Sequence, residues 1–181
     1  MNGNIGYVNL GLLKPKQTRK CLRELKDTRA IIFDVRNYPN GTMYRIAKFT
    51  YPNLFFPGVY YFTKPYYCGK KKKHPYAGKV VLLFNETTQS HAEFALMGLQ
   101  TAPNVISIGS ETAGADGNVS SVVFPGNYKT KMTGIGVYYP GGRETQRIGI
   151  IPDIEVKPTL EGIKLHKDEV LEKALQIINK K

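Results

Sequence analysis

At 181 residues the chain is sized for one domain, and with 41% hydrophobic residues it can bury a core without metal or disulfide support. No run approaches the roughly 18 consecutive apolar residues of a membrane span, and the opening MNGNIGYVNLGLL lacks the charged and apolar regions of a signal peptide, so a soluble chain without its own export signal is expected. Lys and Arg outnumber Asp and Glu by 26 to 14, which raises a polyanionic partner. The excess is dispersed, however, and its one dense run, Lys70 to Lys73, sits in an aromatic loop with no nucleic-acid fold signature around it.

The segment IGYVNLGLL (5–13) predicts a strand, and Pro15 suits the first turn of a helix reaching about Asp27, with Cys21, Leu22 and Leu25 on its apolar face. RAIIFDV (29–35) is a short β-branched run of the kind that fills a buried parallel strand, which closes a βαβ unit. RNYPNG (36–41) is a turn by its Pro-Asn-Gly, with a short helix expected after it. From Thr50 to Gly78 the pattern loosens into Tyr, Phe and Pro, with a strand expected at GVYYFT (58–63) ahead of the basic loop.

KVVLLFN (79–85) repeats the buried-strand pattern, and a helix over 90–102 follows, with Phe94, Met97 and Gly98 at helical spacing and Pro103 at its end. VISIG (105–109) completes a second βαβ unit, so right-handed crossovers put these strands in one sheet. The Gly- and Ser-rich stretches GSETAGADGNVSS, VVFPG and MTGIGVYYPGGRETQRIGIIPDIEV read as hairpins at the end of that sheet. HKDEVLEKALQII (166–178) places Val170, Leu171, Ala174, Leu175 and Ile178 on one face of a terminal amphipathic helix.

Cys21 and Cys68 lack CxxC or Cys/His spacing, so they read as free thiols, and no metal or cofactor is expected. The chemistry-bearing stretch is FNETTQSHAEFALMGLQ (84–100), where a strand gives way to a helix at Ser90. A serine at such a junction projects above the sheet, and the N–H of His91, an unpaired donor of the first turn, points where an oxyanion would form. A second N–H is available in NYPNG, at Asn40 or Gly41, since Gly permits close backbone approach. Taken singly these residues have plainer roles: Ser90 with Glu93 is an S-x-x-E capping box, and Asn-Gly is a turn.

Jointly the stretches IIFDVRNYPNG, GKVVLLFNETTQSHAEFALMGLQ, VISIGSETAGADGNVSSVVFPG and TGIGVYYPGGRETQRIGIIPDIEV resemble the catalytic domain of the C-terminal processing (tail-specific) serine peptidases. The resemblance is to the branch that includes the tricorn core protease. It implies an α/β fold with a ClpP/crotonase-like core of ββα-type repeats, a mostly parallel sheet, C-terminal β-hairpins and a terminal helix. It also implies Ser90 as the acylated nucleophile, with oxyanion amides at His91 and Gly41, and a structural role for the Pro-Asp step of GIIPDIEV.

Two departures from the family pattern matter. Where dyad members carry a lysine base in Gly-Lys-Gly, this chain has GADGN (114–118), and the tricorn-like branch draws a histidine from a region N-terminal to the core. His74, His91 and His166 are not placed to be that residue; Glu144 and Gln146 lie near the position of a late site-orienting acid. The sequence therefore predicts one serine-peptidase domain over 1–181, the C-terminal part of a longer protein, with a peptide or protein substrate and a base supplied elsewhere. A non-catalytic homologue that binds peptides or builds an assembly is the alternative. The family analogy implies the cell envelope, and oligomerisation stays open.

Overall fold

The computed structural model describes residues 3–50, 55–56, 58–59, 66–67, 75–139 and 143–180. The chain opens with β1 (Ile5–Asn9), α1 (Thr18–Glu24), β2 (Ala30–Asp34) and α2 (Met43–Thr50). Three two-residue strands follow, β3 (Phe55–Phe56), β4 (Gly58–Val59) and β5 (Tyr66–Tyr67), then β6 (Lys79–Phe84), α3 (His91–Leu99) and β7 (Val105–Gly109). The remainder is β8 (Asn118–Phe124), β9 (Tyr128–Ile135), β10 (Val137–Tyr138), β11 (Ile154–Glu155), α4 (Leu160–Lys164) and α5 (Glu169–Asn179).

β1, β2, β6, β7 and β11 form one sheet in that spatial order, all paired parallel. Both expected βαβ units are therefore present and share a sheet. The period-2 alternation of the strands divides their side chains between two cores. Ile31, Phe33, Val80, Leu82 and Phe84 pack with Leu22, Met43, Ile46 and Leu96 on one face. Ala30, Ile32, Val81, Leu83 and Ile108 pack with Val170, Ala174 and Ile178 of α5 on the other. β2 is buried along its whole length, as its unbroken apolar sequence requires of a central parallel strand. At about 1.5–3 kcal/mol per buried large aliphatic side chain, these two layers supply the main driving force for folding.

Several boundaries differ from the sequence expectation, for local reasons. The first strand stops at Asn9, whose side chain accepts from the Gly11 N–H at 3.0 Å and turns the chain. The helix after Pro15 begins at Thr18. α3 is not amphipathic: every residue from Ala92 to Leu99 is buried, because it lies under covering structure rather than at the surface. Among the described residues of the late region β8 and β9 form a hairpin, whereas β10 pairs with β4 and β11 joins the main sheet. α4 is an addition that the sequence pattern did not signal; Thr159 Oγ1 caps it by accepting from Gly162 N–H at 2.9 Å. Of the strand expected over 58–63, Gly58–Val59 is a strand, and the rest lies outside the described residues, as do Cys68, Lys70 to Lys73 and His74.

The Pro-Asp step has the structural role implied for it. The Asp153 carboxylate accepts from the Ser107 N–H at 2.7 Å and from the Ser107 hydroxyl at 2.6 Å, while the Asp153 N–H donates to Ser107 Oγ at 2.9 Å. These bonds clamp the turn to β7 and start β11 in parallel register beside it.

Candidate active site

Three loops leave the carboxyl edge of the parallel sheet side by side: 35–42 after β2, 85–90 after β6 and 110–117 after β7. Ligand and reaction sites of open α/β sheets gather at this edge. The loops are tied to one another. The Thr88 hydroxyl reaches the Val35 carbonyl at 3.4 Å, and the Ala113 N–H donates to the Thr88 carbonyl at 3.0 Å. β6 and β7 approach so closely here that a Cβ on Gly109 would lie 1.8 Å from the Phe84 carbonyl oxygen.

Ser90 is the turning point of the central loop. An ordinary N-cap serine sits in the extended region, but Ser90 has φ 55° and ψ −125°, a strained combination for a residue with a Cβ. Its side chain occupies the capping position without making an N-cap hydrogen bond of ordinary geometry. Strain of this kind at a strand-to-helix turn is how α/β hydrolases expose a nucleophile.

The backbone strain is offset by Glu93. This carboxylate is 1% exposed and receives four donors: the Ser90 N–H at 2.9 Å and the Ala115 N–H at 3.0 Å on Oε2, the Thr112 hydroxyl at 2.5 Å and the Gly114 N–H at 2.8 Å on Oε1. Four donors converging on two oxygens suit an ionised carboxylate, which only accepts. Because Ser90 and Ala115 share one oxygen, their amide nitrogens are within about 6 Å of each other. The Thr112 hydroxyl in turn accepts from the Ile150 N–H at 2.7 Å, and the Arg147 N–H donates to the Gly114 carbonyl at 2.6 Å. Gly114 has φ 65°, and a Cβ there would press on the backbone of Arg147 and Ile148 at 3.0 Å.

The other residues singled out by sequence are placed as follows. The His91 N–H has no acceptor among the described residues, while its half-buried ring stacks on Phe94 with centroids 6.3 Å apart, and burial lowers its pKa. Gly41 is exposed with φ 67° and open space where a Cβ would stand. Its turn is pinned by Asn40, which donates from Nδ2 to the Gly11 carbonyl at 2.6 Å. Glu144 is exposed and bridges Tyr138, and half-buried Gln146 precedes Arg147, the residue bound to Gly114. Neither Glu144 nor Gln146 hydrogen-bonds to Ser90, His91 or Glu93 among the described residues.

Sequence reasoning missed two features. Arg36, the first residue of the turn, is held between buried Asp34 (Nη2–Oδ2 2.6 Å) and the α5 cap Asp168 (Nη2–Oδ2 2.7 Å), which fixes where the chain leaves β2. Burial opposes the Arg36 charge, but hydrogen bonds and charge from the two carboxylates outweigh it and raise its pKa. By sequence Asp116 is only part of a loop without lysine; in the fold it is 4% exposed, and burial followed by the nearby Glu93 charge pushes its pKa up to about 7. No local sequence signal distinguishes a buried aspartate from a turn aspartate.

A cavity of about 750 Å³ lies apart from this site, between α1 and α2. Arg19, Arg23 and Lys48 border it above the stacked Phe49 and Tyr76 rings.

The model of Peptidase family S41 matches residues 4–156. The chain belongs to this family. No curated protein matches the sequence. The fold is similar to that in a crystal structure of a candidate peptidase from Parabacteroides merdae, at 23% identity and TM-score 0.84 over 99% of this chain. Mature CPAF complexed with lactacystin is 17% identical with TM-score 0.74 over 97% of this chain, and the tricorn protease is 16% identical with TM-score 0.64 over 97%. This chain spans 62% of the Parabacteroides structure, 52% of the CPAF structure and 18% of tricorn. No helix among the described residues is long and apolar enough to cross a membrane.

Proposed function

We propose that this S41 domain is a serine endopeptidase domain that cleaves peptide bonds through an acyl-enzyme on Ser90. The observation that carries the proposal is the strained Ser90 backbone, held by a fully engaged buried carboxylate at the carboxyl edge of a parallel sheet. A cap alone has no need of such strain. The His91 and Gly41 N–H groups form the oxyanion hole: His91 opens α3 directly after the loop that leaves β6, Gly41 lies on the loop that leaves β2, and β2 and β6 pair directly. Ser90 Oγ attacks the scissile carbonyl and gives its proton to a base; the tetrahedral intermediate collapses with loss of the amine, and water releases the acyl group.

The base is a histidine from a region N-terminal to this core. Two observations support that assignment: the His91 ring packs on Phe94, and loop 110–117 has no lysine. The relatives in the comparison are also longer than this chain. Gln146 and Glu144, on the segment that follows loop 110–117, are candidates for orienting that base. The substrate is a peptide or protein, and the cell envelope is the proposed location.

A fluorophosphonate probe and a peptide substrate test the proposal on this chain and on a full-length parent. The parent is expected to be labelled and to turn over, the Ser90→Ala parent to do neither, and the 181-residue chain to turn over little. Undiminished turnover by the Ser90→Ala parent refutes the nucleophile, and full turnover by the short chain refutes the external base. A parent that is neither labelled nor active favours a non-catalytic peptide-binding or assembly module.

A further inference from the structure

Asp116 is nearly buried, yet no donor among the described residues reaches its Oδ2. Its other support is the Gly117 backbone N–H. Among the described residues, the groups around it offer no compensating cation. Glu93 approaches from α3 with a charge of the same sign, and Tyr139 approaches from the end of β10. Arg143 is engaged over the Tyr139 ring, 4.2 Å from its centroid. None of the ion pairs among the described residues involves Asp116.

A buried carboxylate with an unpaired oxygen beside a second carboxylate is far costlier than the same group kept neutral. Three of the four partners of Glu93 are backbone N–H groups, which can only donate, and both of its oxygens are engaged, whereas Asp116 Oδ2 meets no donor among the described residues. The proton therefore belongs on Asp116.

We propose that Asp116 is a positioning residue for Ser90 that works as a neutral acid: its proton lets Glu93 keep the carboxylate that grips Ser90, Thr112, Gly114 and Ala115. Ionising Asp116 would put two like charges into one water-poor site, and loop 110–117 would release the Ser90 elbow. The site thereby carries a built-in upper pH limit. This deepens the reading of Ser90 as nucleophile and rests on it for the catalytic consequence, whereas the loop behaviour stands on the carboxyl pair alone.

The sign follows from the direction of the shift. Asp116 holds its proton more tightly in the closed loop (about 7) than in an opened one, where its value returns towards 3.8. Closure is strongest below the opened-loop value, weakens as pH rises through that window, and levels off above the closed-loop value. Amide hydrogen exchange on the whole chain reads this directly. After correction for intrinsic exchange, the opening constant at Ser90, Gly114 and Ala115 should grow about 80-fold from about pH 5 to about pH 8. In Asp116→Asn, which keeps the shape without the charge, it should stay flat. A wild-type change under about threefold overturns the proposal even if the variant does not fold, and so does an Asp116→Asn profile that rises in parallel. Fluorophosphonate labelling at about pH 6 is the separate arm: protected amides without Ser90 labelling refute the peptidase reading and leave the Asp116 result standing.

Discussion

Replacing Glu93 is the most informative single perturbation. Its carboxylate receives three backbone N–H groups and one hydroxyl, all buried or half-buried, at 2.5–3.0 Å. A hydrogen bond to a charged group contributes about 1.5–3 kcal/mol, and a buried donor stripped of its acceptor costs about 1–3 kcal/mol. In Glu93→Gln the amide presents one oxygen and one NH2, so one pair of donors keeps its acceptor while the other pair faces a donor. The loss should be about 3–5 kcal/mol, less than the sum of four bonds because the Thr112 hydroxyl can rotate and the loop can relax. That is a large share of the roughly 5–15 kcal/mol by which a domain of this kind is stable. Urea unfolding followed by circular dichroism measures it, with an unchanged slope showing that the midpoint alone has moved. Fluorophosphonate labelling of the variant should slow together with the loss of stability, since the same carboxylate shapes the elbow. A Glu93→Gln loss below about 1 kcal/mol would refute the hub and, with it, the account of how Ser90 is held.

Other expectations are more compact. Ser90→Gly should stabilise the fold by about 1 kcal/mol while abolishing labelling, because glycine adopts positive φ without a Cβ penalty; a loss of stability in thermal melts would count against strain at this residue. Asp153→Ala should cost about 2–4 kcal/mol by leaving the Ser107 N–H and hydroxyl without their acceptor, visible as a lower urea midpoint; an unchanged midpoint would deny the clamp. Asp168→Ala removes both the α5 cap and one of the two carboxylates on Arg36, for a loss of about 2–4 kcal/mol. Burial opposes ionisation of Asp168, but hydrogen bonds and charge from Arg36 and the helix N–H groups lower its pKa overall. Its contribution is therefore present at neutral pH and lost as pH falls through its lowered value, and pH-dependent melts of wild type against Asp168→Asn would show the gap closing in acid.

The two βαβ units and the junction at Ser90 were legible because each is written in local pattern. Short apolar runs such as AIIF and VVLLF, bounded by turn signals, suit central parallel strands, and their alternation assigns Ile31 and Phe33 to one core and Ala30 and Ile32 to the other. The motif set also carried the family, whose model matches residues 4–156. Boundaries slipped where a side chain overruled propensity, as when Asn9 ended the first strand by turning the chain on its own carboxamide.

What only the tertiary structure decided are the roles of residues whose meaning depends on partners far along the chain. Glu93 is a capping-box residue by sequence, but three of its four donors come from 19 to 22 residues further on, across a sheet crossover that no spacing rule encodes. Asp116 looks like a turn residue and becomes a buried acid beside Glu93 and Tyr139. The sequence by itself determined the two βαβ units, the terminal helix and the serine at the strand-to-helix turn, since hydrophobic period and turn chemistry act within a few residues. Burial, and hence the charge state and the grip of the groups around that serine, was decided only when three loops met at one edge of the sheet.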